Sequence, residues 1–246
     1  MSGAGRFWEV DGVRGIAILM MVVFHILFDL NFFSVYTVNV STGFWRYFGY
    51  ATASLFLLVV GVSLAISHAR AARYLFGAAR AKKFLLRGAG IFCLGLLITL
   101  VTWWYLHEGF IIFGILHLIG VSVMISPLFF RFKKWNAVLG VFCIPLGWYL
   151  ATQMGPLWLL ALGLHPALFW TVDYTPIFPW FGLVLIGMAL GEYFYPDGER
   201  RFSPPALPKF VSAPLAFLGQ HSLVIYLVHQ PVILLCLYLF AGAPVL

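Results

Sequence analysis

Three residues that can do chemistry stand in an otherwise apolar run near the start of the chain: Arg14, His25 and Asp29. Arg14 and His25 are eleven residues apart, which on a helix is a net rotation of about 20° and a rise of about 16.5 Å, so they share a face. Asp29 lies one turn beyond His25, about 40° around that face. An imidazole can take a proton from an attacking hydroxyl or amine, and a carboxylate one turn away can orient the ring. A guanidinium can hold phosphate. Together they form an axial track of anion binder, base and carboxylate. Such a track suits a long molecule with a phosphate-rich head and a reactive tip. Coenzyme A has that form: its nucleotide phosphates would pair with Arg14 and its pantetheine arm would reach His25.

A second cluster lies near the end of the chain, in Gly219 to Pro231. Ser222, Tyr226 and His229 fall on one helical stripe, with His229 expected at a depth similar to that of His25. His25, Asp29 and His229 are therefore the candidate catalytic groups. Tyr226 and Gln230 are candidate substrate contacts, and Pro231 should leave a backbone carbonyl free nearby. Arg87 begins a span where it could join Arg14 on phosphate, and Lys83 and His221 are counted with them. His117 and Asp173 are further candidate contacts for an acceptor. The plain alternative for the intramembrane groups is interhelical hydrogen bonding, and for Arg14 an interfacial anchor.

Positioning these groups falls to membrane-spanning helices. Of the 246 residues, 63% are hydrophobic and 9% charged, against about 25% charged in a soluble domain. That excludes a soluble globule, a disordered tail, a nucleic-acid-binding module and a disulfide-stapled scaffold. Cys93, Cys143 and Cys236 lie in apolar runs without metal-ligand spacing, so neither a disulfide nor a metal site is expected. Runs long enough to cross a bilayer core about 30 Å thick are Val13 to Phe33, Trp45 to Ser67, Leu86 to Trp104, Phe110 to Phe130, Asn136 to Gln153, Ile177 to Tyr195 and Leu215 to Phe240. Fourteen of the 15 Lys and Arg residues fall on one side of this arrangement, leaving Arg46 on the other. The positive-inside rule then places the N-terminus in the cytoplasm. The apolar stretch Gly155 to Thr175, interrupted by Pro166, reads as an external re-entrant or interfacial segment. The first span contains His25 and Asp29 and no small-residue cleavage site, so it does not read as a signal peptide. The expected fold is thus an all-α polytopic membrane protein of about seven transmembrane helices, forming one integral domain over residues 1–246. An ionisable group at bilayer depth costs about 2.5 to 3.5 kcal/mol on insertion scales, so each is a candidate for function.

The segment from Arg6 to Asp29 resembles the opening of the heparan-alpha-glucosaminide N-acetyltransferase catalytic-domain family. Phe113-Gly-Ile-Leu-His117-Leu-Ile-Gly120, Phe178-Pro-Trp-Phe-Gly182 and Leu218 to Pro231 carry the likeness along the chain. The Arg14 to His25 spacing also resembles membrane O-acyltransferases acting on bacterial surface sugars, with an echo of their Arg-x-x-Arg motif at Arg70 and Arg73. The resemblance implies acetyl transfer from cytosolic acetyl-CoA to an acceptor, commonly a sugar, across the membrane. By that analogy Arg14 engages the cofactor and His25 acts at the thioester. Lysosomal members carry Asn at the position of His25 and a catalytic His in the following loop. Here Asn31 to Phe44 has no histidine and Tyr36 stands near the expected place, so direct transfer with His25 as base is the expectation. The expected setting is a prokaryotic plasma membrane, with membrane lipids, acetyl-CoA and a sugar-like or other small acceptor as partners and no nucleic acid; association as a homodimer is left open. The alternative is a proton-coupled transporter or flippase using His25, Asp29, His117 and His229 as a relay.

Overall fold

A computed structural model describes residues 5–205 and 207–242. Eight α-helices occur among them: α1 (Trp8–Phe32), α2 (Gly43–Ala71), α3 (Gly77–Leu106), α4 (Ile115–Ile125), α5 (Trp135–Leu150), α6 (Ile177–Phe194), α7 (Lys209–Gln220) and α8 (Ser222–Ala241). Strands are absent among the described residues. Five helices, α1, α2, α3, α6 and α8, are long and apolar enough to cross a membrane, while two more predicted spans fall on shorter apolar helices, Ile115–Leu128 and Trp135–Leu150. Leu96, Leu97, Leu100, Val101 and Trp104 of α3 are exposed, as are Val138, Val141, Phe142 and Trp148 of α5. Faces of that size are tenable against lipid and not against water. The chain is an all-α polytopic integral membrane protein.

The helices group into two compact units, Met1–Val59 with Pro204–Leu246, and Val60–Ser203. Helix α2 contributes its residues up to Val59 to the first and the remainder to the second.

In the first unit α1 lies against α7 and α8. The α1–α7 contact is backbone on backbone: a Cβ on Gly15 would strike the Leu215 carbonyl, and one on Gly219 would strike that of Asp11. Small residues allow this approach where dispersion, with no water to expel, must hold helices together. Near the other end of α1, Leu30 and Phe33 pack on Ile233 and Leu237 of α8.

In the second unit α3 pairs with α4 and α5 with α6. Gly140 and Gly182 meet across the α5–α6 contact, each facing the other's carbonyl. The end of α2 is fastened to the turn after α6. Arg70 donates to the Gly198 carbonyl at 3.2 Å, and Arg73 donates to the Asp197 carbonyl and to Glu199 Oε1, both at 2.8 Å. The guanidinium of Arg73 holds the Glu199 carboxyl below its ordinary range.

Three expectations require correction. The expected span Leu215 to Phe240 is two helices. At His221 (φ −101°, ψ 13°) the backbone leaves the helical region, and both the backbone N–H and ring Nδ1 of that residue converge on the Phe217 carbonyl, at 3.1 and 2.9 Å. The expected span Phe110 to Phe130 holds only the short α4 and a 3₁₀ turn, Ser126–Leu128. Pro127 has no N–H to offer the Val123 carbonyl, and the Ser126 hydroxyl donates to it instead at 2.8 Å. The run Asn136 to Gln153 is helical over α5 only: the Ala151 N–H makes the last helical bond, to the Gly147 carbonyl, and the Thr152 and Gln153 N–H groups bond instead three residues back, to Tyr149 and Leu150, as in a tight turn.

Gly155 to Thr175 contains a 3₁₀ helix, Leu157–Leu162, and no α-helix. Its end is anchored by Tyr174, whose hydroxyl donates to the Leu160 carbonyl at 2.8 Å and whose burial pushes its pKa up to about 12.

Candidate active site

Polar groups of α1 and α8 meet in the first unit at two adjacent points. The rings of His25 and His229 stand 4.7 Å apart, centroid to centroid, at 80° to one another. One turn along α1, the Asp29 carboxylate, only 2% exposed, accepts from the Gln230 amide: Nε2 donates to both Oδ1 and Oδ2 at 2.8 Å.

The protonation of the histidines follows from their partners. His25 Nδ1 lies 2.9 Å from the Met21 carbonyl and His229 Nδ1 lies 2.6 Å from that of Tyr226. A carbonyl only accepts, so both Nδ1 atoms carry the proton and both Nε2 atoms of the neutral rings are lone-pair bases. His229 is 9% exposed, and its Nε2 and the Oε1 of Gln230 are buried without a hydrogen-bond partner. Such orphan acceptors cost about 1 to 3 kcal/mol each and mark a place where a donor is wanted.

Nearer the start of α1, Arg14 donates to Asp11 Oδ1 at 2.9 Å and to the Gly219 carbonyl at 3.4 Å. Asp11 also accepts from Gln220 Nε2 at 3.3 Å and has Arg6 Nε at 4.0 Å. Two guanidiniums thus lie at one carboxylate, and a guanidinium is a group that can also bind phosphate. The helix break puts Gln220 and His229 on separate helices, one facing Asp11 and the other His25. His221, at the break, is exposed and packs at a tilt against Phe217, ring centroids 4.2 Å apart; the Tyr226 ring lies 5.5 Å from that of His229.

The expected pairing of Asp29 with His25 is corrected. The carboxylate is engaged by Gln230, and the imidazole is oriented by the Met21 carbonyl one turn back on its own helix. Asp11 and Gln220 were missed by the reading of the sequence. The Asp-x-x-Arg spacing of Asp11 and Arg14 was a legible signal, since residues three apart on a helix meet.

The other candidates belong to the second unit. His117, 2% exposed, closes the start of α4. Its Nδ1 accepts from the Gly114 N–H at 3.2 Å, and its Nε2 lies 3.3 Å from the Thr99 hydroxyl. Asp173 accepts from the Ile115 N–H at 3.2 Å and from the Thr175 hydroxyl at 2.9 Å. Both satisfy donors at a helix start, as capping groups do. Lys83 donates to the Tyr74 hydroxyl at 3.3 Å, and Arg87 is exposed on α3. No group of three or more metal-ligating side chains occurs among the described residues.

Apolar spans with a histidine pair, a buried carboxylate–amide pair and a guanidinium–carboxylate cluster set between helices define a membrane protein with a polar site built into its helices. Over residues 6–231 the chain matches the family described as heparan-alpha-glucosaminide N-acetyltransferase, catalytic. It belongs to that family, and so to the membrane acetyltransferases. Searches of curated proteins and of solved structures gave no match.

Proposed function

We propose that the chain transfers an acetyl group from acetyl-CoA to a hydroxyl or amine of a small, sugar-like acceptor, at mid-membrane or at the external face. The setting is a prokaryotic plasma membrane with the N-terminus in the cytoplasm, where the excess of basic residues puts it. The observation that carries this reading is the His25–His229 pair, whose Nδ1–H groups are both committed to backbone carbonyls.

When bound, acetyl-CoA would supply a thioester carbonyl activated for attack. His25 takes the proton of the attacking hydroxyl or amine at Nε2 as the new bond forms. Its Nδ1–H stays on the Met21 carbonyl, which stabilises the resulting imidazolium. The proton then leaves Nε2 for the departing sulfur, restoring the neutral ring. His229 offers a second acceptor beside the first, holding the acceptor molecule in line. Arg14 and Arg6, sharing Asp11, would hold the phosphates. Residues fit the donor at both ends: the guanidiniums of Arg14 and Arg6 for a phosphate head, and orphan acceptors for N–H or O–H groups. A relay transporter draws less support, because both ring nitrogens of His117 are engaged, Nδ1 by the Gly114 N–H at the start of α4 and Nε2 by the Thr99 hydroxyl of α3.

Calorimetry of the purified protein with acetyl-CoA tests the assignment of the head. Wild type is expected to bind and Arg14→Ala to bind at least about tenfold more weakly, or about 1.4 kcal/mol. Absence of binding to wild type contradicts the reading.

A further inference from the structure

We propose that Asp29 and Gln230 form a fixed hydrogen-bond acceptor for the ligand, with Gln230 Oε1 receiving an N–H or O–H and Asp29 acting as the positioning residue that aims it. The inference rests on the acetyl-transfer reading of the same site and assigns Asp29 a role other than proton transfer.

An amide side chain can present either end. Here the choice is made by Asp29: both carboxylate oxygens accept from Nε2 at 2.8 Å. Turning the amide over would set its oxygen against a carboxylate, so Oε1 is held on the side away from Asp29. That oxygen is buried and has no partner, and neither has Nε2 of the adjacent His229. Both residues meet the same two-turn stretch of α1, His229 at His25 and Gln230 at Asp29. Structural fastening of α1 to α8 accounts for the Nε2 contacts and the orientation they impose, and leaves Oε1 buried without a partner. A ligand bringing hydrogen donors to this seam completes both acceptors. Two sources carry that chemistry: the amide N–H groups in the thiol arm of coenzyme A, and the N–H or O–H groups of the acetyl acceptor.

The test uses full-length protein with Asp29→Leu combined with Gln230→Leu, which removes the acceptor without stranding a charge, and separately Asp29→Asn, which preserves size and loosens the aim. Calorimetry compares coenzyme A with its nucleotide head lacking the thiol arm, and steady-state turnover gives KM for glucosamine as the probe acceptor. If the arm is the source, the double variant binds coenzyme A about tenfold more weakly and the head alone as wild type does, with Asp29→Asn intermediate. If the acceptor is the source, affinity for coenzyme A holds while KM for glucosamine rises about tenfold with kcat largely kept. Unchanged values on both arms in a folded double variant overturn the inference, as does a loss of kcat with unchanged KM in Asp29→Asn, which would make Asp29 part of the proton path. Should wild type not acetylate glucosamine, the coenzyme A arm decides alone. Failure of wild type to bind coenzyme A at all would instead overturn the underlying acetyl-transfer reading.

Discussion

Asp11 holds Arg14 in place, and its loss is the clearest test at the scale of single residues. With Asp11→Ala the guanidiniums of Arg14 and Arg6 and the Gln220 amide lose a shared acceptor that is 6% exposed at the side chain. Breaking a buried pair from one side costs about 3 to 5 kcal/mol; with Arg14 18% exposed, a loss near the lower end, about 3 kcal/mol, is expected in thermal unfolding. Weaker binding of acetyl-CoA should accompany it. Stability equal to wild type would show that the carboxylate does not hold the cluster. Arg14, His25, Asp29 and His229 were legible in the sequence because a polar group in an apolar helix is costly and therefore rare. Their partners were legible only in part. Gln230 lies 201 residues from Asp29, so no spacing rule links them, and the carbonyls of Met21 and Tyr226 carry no side-chain signal at all.

Helices were legible from apolar runs bounded by charges, and their interruptions only in part. The break at His221 coincides with the short polar run Gly219-Gln220-His221-Ser222, a signal outweighed by the apolar residues on both sides of it. The stop at Pro127 had a recognisable cause but was masked by the apolar residues on both sides. Close glycine contacts hold the pairs of helices together and give the prediction at this scale. Gly219→Leu forces a side chain into the backbone of Asp11 and should lower stability by roughly 1 to 3 kcal/mol or more, as overpacking does, while Gly90→Leu, where a Cβ meets nothing within 4 Å, should leave the melting temperature near wild type. Equal melting temperatures for the two would show that the α1–α7 approach is not tight. A second prediction concerns the loop after α5. Tyr174 has its pKa raised from 10 to about 12, so burial of the neutral hydroxyl contributes stability that is complete below pH 10 and is lost as the pH rises toward 12. Melting curves of wild type should fall over that window more steeply than those of Tyr174→Phe; parallel curves would contradict the shift.

At the scale of the whole molecule, scarcity of charge defines both the solvent and the site. Most of the 15 Lys and Arg residues lie in connections or at helix ends, and Arg70 and Arg73 fasten the end of α2 in the second unit. A few polar groups remain within the helices, and in the first unit they gather where α1 meets α7 and α8. That gathering, in a chain whose family is an acetyltransferase of the membrane, supports placing the proton-transfer chemistry on His25. The most direct measurement is thiol release from acetyl-CoA in the presence of an acceptor, comparing wild type with His25→Ala. Wild type should release thiol, and His25→Ala should be slower by about a hundredfold or more, the usual contribution of a general base, while binding acetyl-CoA within about tenfold of wild type. Full turnover by His25→Ala would contradict the assignment.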